Sequence, residues 1–376
     1  MDTDNKHINI LFVGGGTGGH FFPLISIAEA LNASPNRLTL YYAGPEPYNL
    51  AALETENIHF VRVFAGKLRR YFSILNFLDL FKTLIGSLGA LIKLFIIYPD
   101  VVVSKGSYTS VPIVFAAKFL RIPIIVHESD SVIGRANKLG VRFARHIIVS
   151  YEETESVLAG RSVFRFGIPI RKALLAPKNT EGTTTLNIRT DRPILFVTGG
   201  SQGAKRVNEL ILDSLDELLT DFTVVHQTGE LDFELCKLSA DTLITNQDNK
   251  QYYLPTAFLD ATTLNEVYHL SSMVVSRAGS TSIYEIALHG KPSILIPIPE
   301  TISHDQRSNA YAYARTGAAT VLEEENISDS LLRAEIDRIM QNPELYSDMA
   351  GKALAFAMPH SAEKIAALIL EVAKEH

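Results

Sequence analysis

Short apolar runs rich in valine and isoleucine alternate along the chain with stretches of helical periodicity. In the first half the runs occupy residues 8–13, 38–42, 101–104, 122–126 and 147–150. In the second half they occupy residues 194–198, 222–226, 273–276, 293–297 and 319–322. Runs that stay apolar, instead of alternating with polar residues, mark strands buried on both faces, and intervening helices supply the crossovers between parallel neighbours. The pattern predicts an α/β protein with parallel sheets.

Both halves open alike. Ile10-Leu11-Phe12-Val13-Gly14-Gly15-Gly16 is a strand running into a glycine loop, with a helix expected from about Pro23. Ile194-Leu195-Phe196-Val197-Thr198-Gly199-Gly200 repeats it, with a helix expected from about Ala204. This repetition predicts two Rossmann-like domains facing across a cleft, with ligands at the carboxyl ends of the strands. Residues 1–168 form the expected N-terminal domain and 193–359 the C-terminal one. The polar, aperiodic stretch 169–192 is the expected linker. A last helix, 362–374 within 360–376, is free to pack on either domain.

Composition narrows the classes. The chain has 376 residues, enough for two domains that each bury a core. With 35 Lys plus Arg against 41 Asp plus Glu, the net charge of −6 argues against a general nucleic-acid binder, which needs a basic surface. The single cysteine, Cys236, excludes an internal disulfide and a cysteine-based metal site. Residues 71–98 are the most apolar stretch, but Asn76, Asp79, Lys82 and Lys93 interrupt it, so no spanning helix of about 20 residues is expected. No secretory signal is expected at the start. The protein reads as soluble or peripheral.

Chemistry concentrates at expected strand ends. Gly14, Gly16 and Gly19 spell G-x-G-x-x-G, which lets the backbone turn tightly and approach an anion at a helix N-terminus. The acidic residue that a dinucleotide's ribose requires is missing after the second strand, which ends Tyr42-Ala43-Gly44. His20 follows at once and is a candidate base. Gly199-Gly200-Ser201-Gln202-Gly203 is a second loop suited to phosphate, although Ser201 would also serve as a helix cap. In Arg277-Ala278-Gly279-Ser280-Thr281-Ser282, followed by a helix expected at 283–289, Arg277 suits a phosphate and Glu285 a sugar diol. Ser282 to Glu285 also fits a capping box, which leaves the role of Glu285 open. Polar groups also end two neighbouring strands, at Lys105-Gly106-Ser107-Tyr108 and at His127-Glu128-Ser129-Asp130. His304-Asp305-Gln306 lacks a third ligand, so no metal is expected. Leu68-Arg69-Arg70-Tyr71-Phe72, continuing to Lys82, suits either an anionic membrane surface or a core helix with a basic first turn.

Together these motifs resemble the MurG-type N-acetylglucosaminyltransferases over nearly the whole chain. The resemblance rests on residues 14–23 (GGGTGGHFFP), 105–112 (KGSYTSVP), His127-Glu128, 167–171 (GIPIR), 199–204 (GGSQGA), 277–290 (RAGSTSIYEIALHG) and 304–310 (HDQRSNA). It implies the GT-B architecture, with UDP-N-acetylglucosamine held mainly by the C-terminal domain and a lipid acceptor by the N-terminal one. Arg277, Ile283 and Glu285 would then hold the nucleotide, with Glu285 on the ribose. Ser201 and Gln202 would face the pyrophosphate, Gln306 the donor sugar, and Asn208 would lie near the donor. Thr17, Gly18 and Gly19 are also implied at the donor. Thr17, His20, Tyr108, His127, Glu128 and Arg171 match the acceptor side. The stretch from Leu68 falls where the family meets the membrane. The chain departs from the family at Ser129-Asp130, where Gln-Asn is usual, at His304-Asp305, where Asp-His is usual, and at Ile168, where Asn is usual.

The resemblance implies an inverting transfer of N-acetylglucosamine from UDP-N-acetylglucosamine to undecaprenyl-pyrophosphoryl-N-acetylmuramoyl-pentapeptide. No cofactor is implied. His20 is the first candidate for the base and Glu128 the second. The implied location is the cytoplasmic face of the bacterial inner membrane, held peripherally. A relative acting on another lipid acceptor, a sugar-nucleotide 2-epimerase, a nicotinamide oxidoreductase and a non-catalytic lipid binder are the alternatives.

Overall fold

A computed structural model describes residues 6–65, 75–177, 186–301 and 304–376, with backbone alone at 75–84 and 304. The chain divides into two compact units: Met1–Arg171 with Met358–His376, and Lys172–Ala357.

In the first unit, strands β1 (Ile8–Val13), β2 (Leu38–Gly44), β3 (Ile58–Arg62), β4 (Val101–Ser104), β5 (Ile124–Glu128), β6 (His146–Val149) and β7 (Val163–Arg165) alternate with helices α1 (Gly18–Asn32), α2 (Leu50–Thr55), α3 (Leu75–Ile97), α4 (Ser110–Phe119), α5 (Arg135–Val141) and α6 (Glu152–Val157). The sheet is wholly parallel, in the order β3-β2-β1-β4-β5-β6-β7. Its order reverses between β1 and β4, the switch point where open α/β sheets take ligands.

The second unit repeats the plan. Strands β8 (Ile194–Thr198), β9 (Thr223–Gln227), β10 (Tyr253–Thr256), β11 (Met273–Ser276), β12 (Ser293–Leu295) and β13 (Ala319–Val321) form a parallel sheet in the order β10-β9-β8-β11-β12-β13. Helices α7 (Lys205–Asp213), α8 (Leu215–Asp221), α9 (Phe233–Leu243), α10 (Ala261–Leu270), α11 (Ser280–Leu288), α12 (His304–Ala314), α13 (Asp329–Met340) and α14 (Pro343–Phe356) accompany it. Both units are Rossmann-like.

The last helix, α15 (Ser361–Glu375), belongs to the first unit, where Ile365, Ile369 and Val372 are buried with α1 and β1 residues. Burying side chains of this size stabilises by about 1.5–3 kcal/mol each. By length and composition alone, Pro343–Glu375 is apolar enough to cross a membrane. It is two helices, however, and the apolar face of α15 lies in the core.

Several elements depart from the sequence expectation. Strands β3, β7 and β10 were not expected: β7 has three residues, and β10 contains Pro255, which an edge strand tolerates because one side needs no N–H donor. Helix α1 starts at Gly18, which puts Pro23 inside it. The i−4 carbonyl that Pro23 forgoes is that of Gly19, an exposed residue in the first turn. Of the expected linker 169–192, residues 169–171 belong to the first unit and the described residues from Lys172 on to the second, where the carbonyl of Ala176 accepts from Asn265 Nδ2 at 3.2 Å and that of Arg189 from Thr223 Oγ1 at 2.9 Å.

Candidate active site

In the first unit the site grows from the switch point. The Lys105 N–H donates to the Val13 carbonyl at 2.8 Å, so the loops after β1 and β4 start in contact. A Cβ on Gly14 would sit 2.7 Å from Lys105 Cβ, which demands glycine there. Gly16 has φ +97° and Gly106 φ +90°, both in the region that favours glycine. The Tyr42 hydroxyl donates to the Gly14 carbonyl from below.

Thr17 is the N-cap residue of α1, yet its side chain makes no cap bond; Oγ1 lies 2.8 Å from Nδ1 of His20. The His20 ring is half-buried, and among the described residues its Nε2 has no hydrogen-bond partner. Burial first, then the charge of Lys105, pulls its pKa down to about 4, against an upward pull from Asp130. The ring is uncharged at neutral pH, as a base must be. Gly18 is buried and Gly19 exposed.

Sheet position explains the next two residues. Strand β5 runs two residues beyond its expected end, so His127 and Glu128 lie on the strand, paired in register with Ile148 and Val149. Both are buried. His127 Nε2–H donates to the Gly167 carbonyl at 3.1 Å, so its side chain braces that turn from inside. Glu128 accepts from the backbone of Asp130 at 3.0 Å, the backbone of Gly134 at 2.8 Å and Asn137 Nδ2 at 3.0 Å. Burial, then the neighbouring Asp130, pushes its pKa up to about 7. The carboxylate ties down the loop to α5. That geometry counts against its expected place as second base. Tyr108 is half-buried. Arg171 lays its guanidinium over the Phe22 ring, 5.1 Å from the centroid.

In the second unit, the 199–203 loop closes on itself and on the β9 end. A Cβ on Gly203 would collide with the Thr228 carbonyl, and one on Gly199 with the Ala204 amide. Gly200 and Gly203 have φ +84° and +76°. The Gly203 N–H donates to the Gly200 carbonyl at 3.0 Å, and Gln227 Nε2 donates to the same carbonyl at 3.1 Å. Ser201 and Gln202 are left exposed at the tip. The cap of α7 is Ala204, so Ser201 is not the helix cap, and no side chain caps the first-turn N–H groups.

Asn208 is buried and fully engaged. Its Nδ2 donates to the Thr228 carbonyl and Asp232 Oδ2, both at 2.9 Å, and its Oδ1 accepts from His226 Nε2–H at 3.0 Å. It locks the loops together. Ile283 is wholly buried in α11, so its side chain cannot touch a nucleotide. Arg277 Nη1 donates to the carbonyls of Ile296 and Pro297 at 3.1 and 3.2 Å and pairs with Glu324 at 2.5 Å.

Helix α11 begins at Ser280 with Gly279 as cap, so Ser282 caps nothing and the capping-box alternative for Glu285 falls. The Glu285 carboxylate instead accepts from the Tyr268 hydroxyl at 3.4 Å. The half-buried Gln306 accepts from the Ile298 N–H at 3.4 Å. Among the described residues no three His, Cys, Asp or Glu side chains converge as a metal site requires.

Profiles of known families meet both units. The glycosyltransferase family 28 N-terminal domain matches residues 10–149, and the C-terminal domain of the same family matches residues 194–365. A protein of Treponema denticola, named UDP-N-acetylglucosamine--N-acetylmuramyl-(pentapeptide) pyrophosphoryl-undecaprenol N-acetylglucosamine transferase, is 38% identical over 331 residues, covering 85% of this chain and 84% of its own. The chain belongs to the MurG-type transferases of family 28.

A Clostridium botulinum MurG-type transferase of the same name is 32% identical over 366 residues, 97% of this chain and 99% of its own. The crystal structure of Acinetobacter baumannii MurG shares the fold with a TM-score of 0.74 and 21% identity, over 97% of this chain and 99% of that one. A Neisseria meningitidis UDP-GlcNAc 2-epimerase bound to UDP-GlcNAc shares the fold as well, with a TM-score of 0.68 and 12% identity, over 97% of this chain and 100% of that one.

Three parts of this candidate site escaped the sequence: Glu324 as partner of Arg277, Tyr268 beside Glu285, and the turn at Thr228-Gly229 that seats the 199–203 loop. A Thr-Gly pair directly after an apolar strand was the available signal for the last. The other two lie on elements remote in sequence and carried no signal.

Proposed function

We propose that this chain transfers N-acetylglucosamine from UDP-N-acetylglucosamine to the N-acetylmuramoyl-pentapeptide carried on undecaprenyl pyrophosphate. The observation that carries this reading is the identity of 38% over 85% of the chain with a transferase of that name. The second unit takes the donor. The N–H groups of the 199–203 loop and of the first turn of α7, with Ser201 and Gln202, suit a pyrophosphate, and they would stabilise it as it leaves. The buried carboxylate of Glu285 suits the two ribose hydroxyls, and Gln306 the donor sugar.

The first unit takes the acceptor. Its sugar hydroxyl oxygen attacks the anomeric carbon from the face opposite the nucleotide, a C–O bond forms, and the bond from that carbon to the phosphate oxygen breaks. The electron pair leaves on UDP, the hydroxyl proton passes to Nε2 of His20, and the configuration inverts. For Nε2 to hold a lone pair, Nδ1 carries the hydrogen and donates to Thr17 Oγ1.

The first unit also rests on a membrane surface in this reading, on the cytoplasmic face of the inner membrane. Helix α3 packs inward through Ala90 and Leu94 and leaves Ile85, Leu88, Ile92, Phe95 and Ile96 exposed, with Phe119 of α4 exposed as well. Lys93, Lys118 and Arg121 are exposed on the same elements and their connections. A large apolar face with cations suits an anionic bilayer. The basic stretch from Leu68 to Phe72 lies outside the described residues.

UDP release from UDP-N-acetylglucosamine, measured with and without a short-chain acceptor analogue, tests the reading. Release that depends on the analogue and yields a disaccharide supports it. Turnover of the donor with no acceptor points to an epimerase-like enzyme instead.

A further inference from the structure

Glu285 belongs to a closed circuit of contacts that the proposed reaction does not use. Tyr268 lies on α10, Glu285 lies on α11, and His289 is the C-cap of α11, four residues on and so on the same side of the helix as Glu285. The Tyr268 hydroxyl donates to Glu285 Oε2 at 3.4 Å. The Tyr268 ring lies over the His289 ring, with centroids 4.7 Å apart and planes 20° from parallel. Nδ1–H of His289 donates to the Glu285 carbonyl at 2.7 Å, which closes the circuit. The side chain and the backbone of one glutamate are thus tied to each other through two rings.

Each ring is also held from outside. The Tyr268 ring meets Phe196 of β8 edge to face, 5.3 Å away at 87°. Phe196 is wholly buried and Tyr268 is 1% exposed, so the phenol cannot swing out to water. The His289 ring has Nε2 against the side-chain amide of Asn265 at 2.9 Å, one turn before Tyr268 on α10, and the His269 ring stands edge-on at 4.9 Å. The last turn of α11 makes room for this ring. The His289 N–H goes to the Ile286 carbonyl at 3.2 Å, and the imidazole takes the Glu285 carbonyl.

A carboxylate buried in this way is tolerated only where donors meet it. A glutamate side chain left free to rotate would also have to be ordered when it took a ligand, at a cost in affinity. The circuit orders Glu285 beforehand. A carboxylate held in one direction favours a pair of neighbouring hydroxyls over a sugar that lacks them.

We propose that Tyr268 and His289 are positioning residues that make donor binding depend on the ribose hydroxyls: the phenol aims the Glu285 carboxylate, and the imidazole holds the phenol. Both act through Glu285, and the proposal rests on the reading of Glu285 as partner of the ribose diol.

Calorimetry with UDP and with 2′,3′-dideoxy-UDP, whose sugar lacks both hydroxyls, provides the test. Wild type is expected to bind UDP about 10- to 100-fold more tightly than the dideoxy analogue, the usual worth of hydrogen bonds to a charged group. Tyr268→Phe, which removes one oxygen, is expected to weaken UDP by about 3- to 10-fold and to leave the analogue within about 2-fold. His289→Leu is expected to act in the same direction. In turnover, both variants should raise the donor KM and leave kcat nearly unchanged. A residue that only supports the fold would weaken both ligands alike.

With wild type separating the two ligands, a loss in Tyr268→Phe that falls equally on both, or on neither, overturns the proposal and leaves Glu285 on the ribose. Wild type that binds both ligands equally takes Glu285 off the ribose and the proposal falls with it. If His289→Leu does not fold, Tyr268→Phe decides alone.

Discussion

Nδ1 of His20 and Oγ1 of Thr17 lie 2.8 Å apart, so the residue that opens helix α1 spends its side chain on a ring one turn later instead of capping the helix. An N-cap threonine normally bonds a first-turn N–H and is worth about 1 kcal/mol there. Here that bond is given up to orient an imidazole. Thr17→Val, which keeps the shape and removes the hydroxyl, is expected to lower kcat by about 10- to 100-fold with the donor KM nearly unchanged, whereas Thr17→Ser retains most of the rate. A Val variant as fast as wild type would show that the bond is incidental.

Removing the ring has a larger effect. His20→Asn is expected to reduce turnover by about 10²- to 10⁴-fold, the usual worth of a positioned base. UDP binding, measured by calorimetry, should survive, because in the proposed reading the donor groups lie in the other unit. With the ring pKa near 4, the wild-type rate should not fall between pH 8 and pH 6 through His20.

Two glycines of one loop separate backbone conformation from space. Gly200 and Gly203 both have positive φ, but a side chain on Gly200 meets open space and one on Gly203 meets the Thr228 carbonyl. Gly200→Ala should cost about 1–2 kcal/mol in urea unfolding. Gly203→Ala should cost more and also weaken UDP binding, since the loop must move off the β9 end. Equal costs for the two would mean that the Thr228 contact does not constrain the loop.

Acid should destabilise the second unit through His226. Burial holds this ring to about 3, below the ordinary 6.5, while it donates to Asn208 and accepts from Tyr253. The unfolded chain takes up a proton there as pH falls through 6.5 and the folded chain does not. Stability is therefore lost between about pH 6.5 and 3, with a slope of up to about 1.4 kcal/mol per pH unit from this group. Glu128, raised to about 7, acts in the opposite sense between 7 and 4.5. His226→Phe should be less stable at pH 7 yet show a flatter decline between pH 6 and 4, as read from urea midpoints.

Much of this was legible in one dimension, because the features concerned are local. Strands buried on both faces need continuous apolar runs, so β1, β4, β8 and β11 stood out, and with them the parallel α/β plan. Glycine-dense runs after apolar strands marked both loops, and a histidine directly after the first marked it further. The weak strands β7 and β10 stayed hidden, because edge strands of three or four residues exist only through the pairing of a neighbour.

Side-chain partnership was different, since it depends on which remote elements meet. His127, Glu128 and Asn208 look like ligand-facing polar residues in the chain; the folded sheet turns them inward and gives their atoms to Gly167, the loop to α5 and Thr228. Glu285, by spacing either a helix cap or a ligand for a sugar diol, is a buried carboxylate beside Tyr268, because α11 starts at Ser280. Sequence by itself determined the fold class, the two loops and the family. Only the tertiary structure decided which polar groups stay open to a ligand, because burial of a polar group is tolerated only where a partner, often distant in sequence, satisfies it.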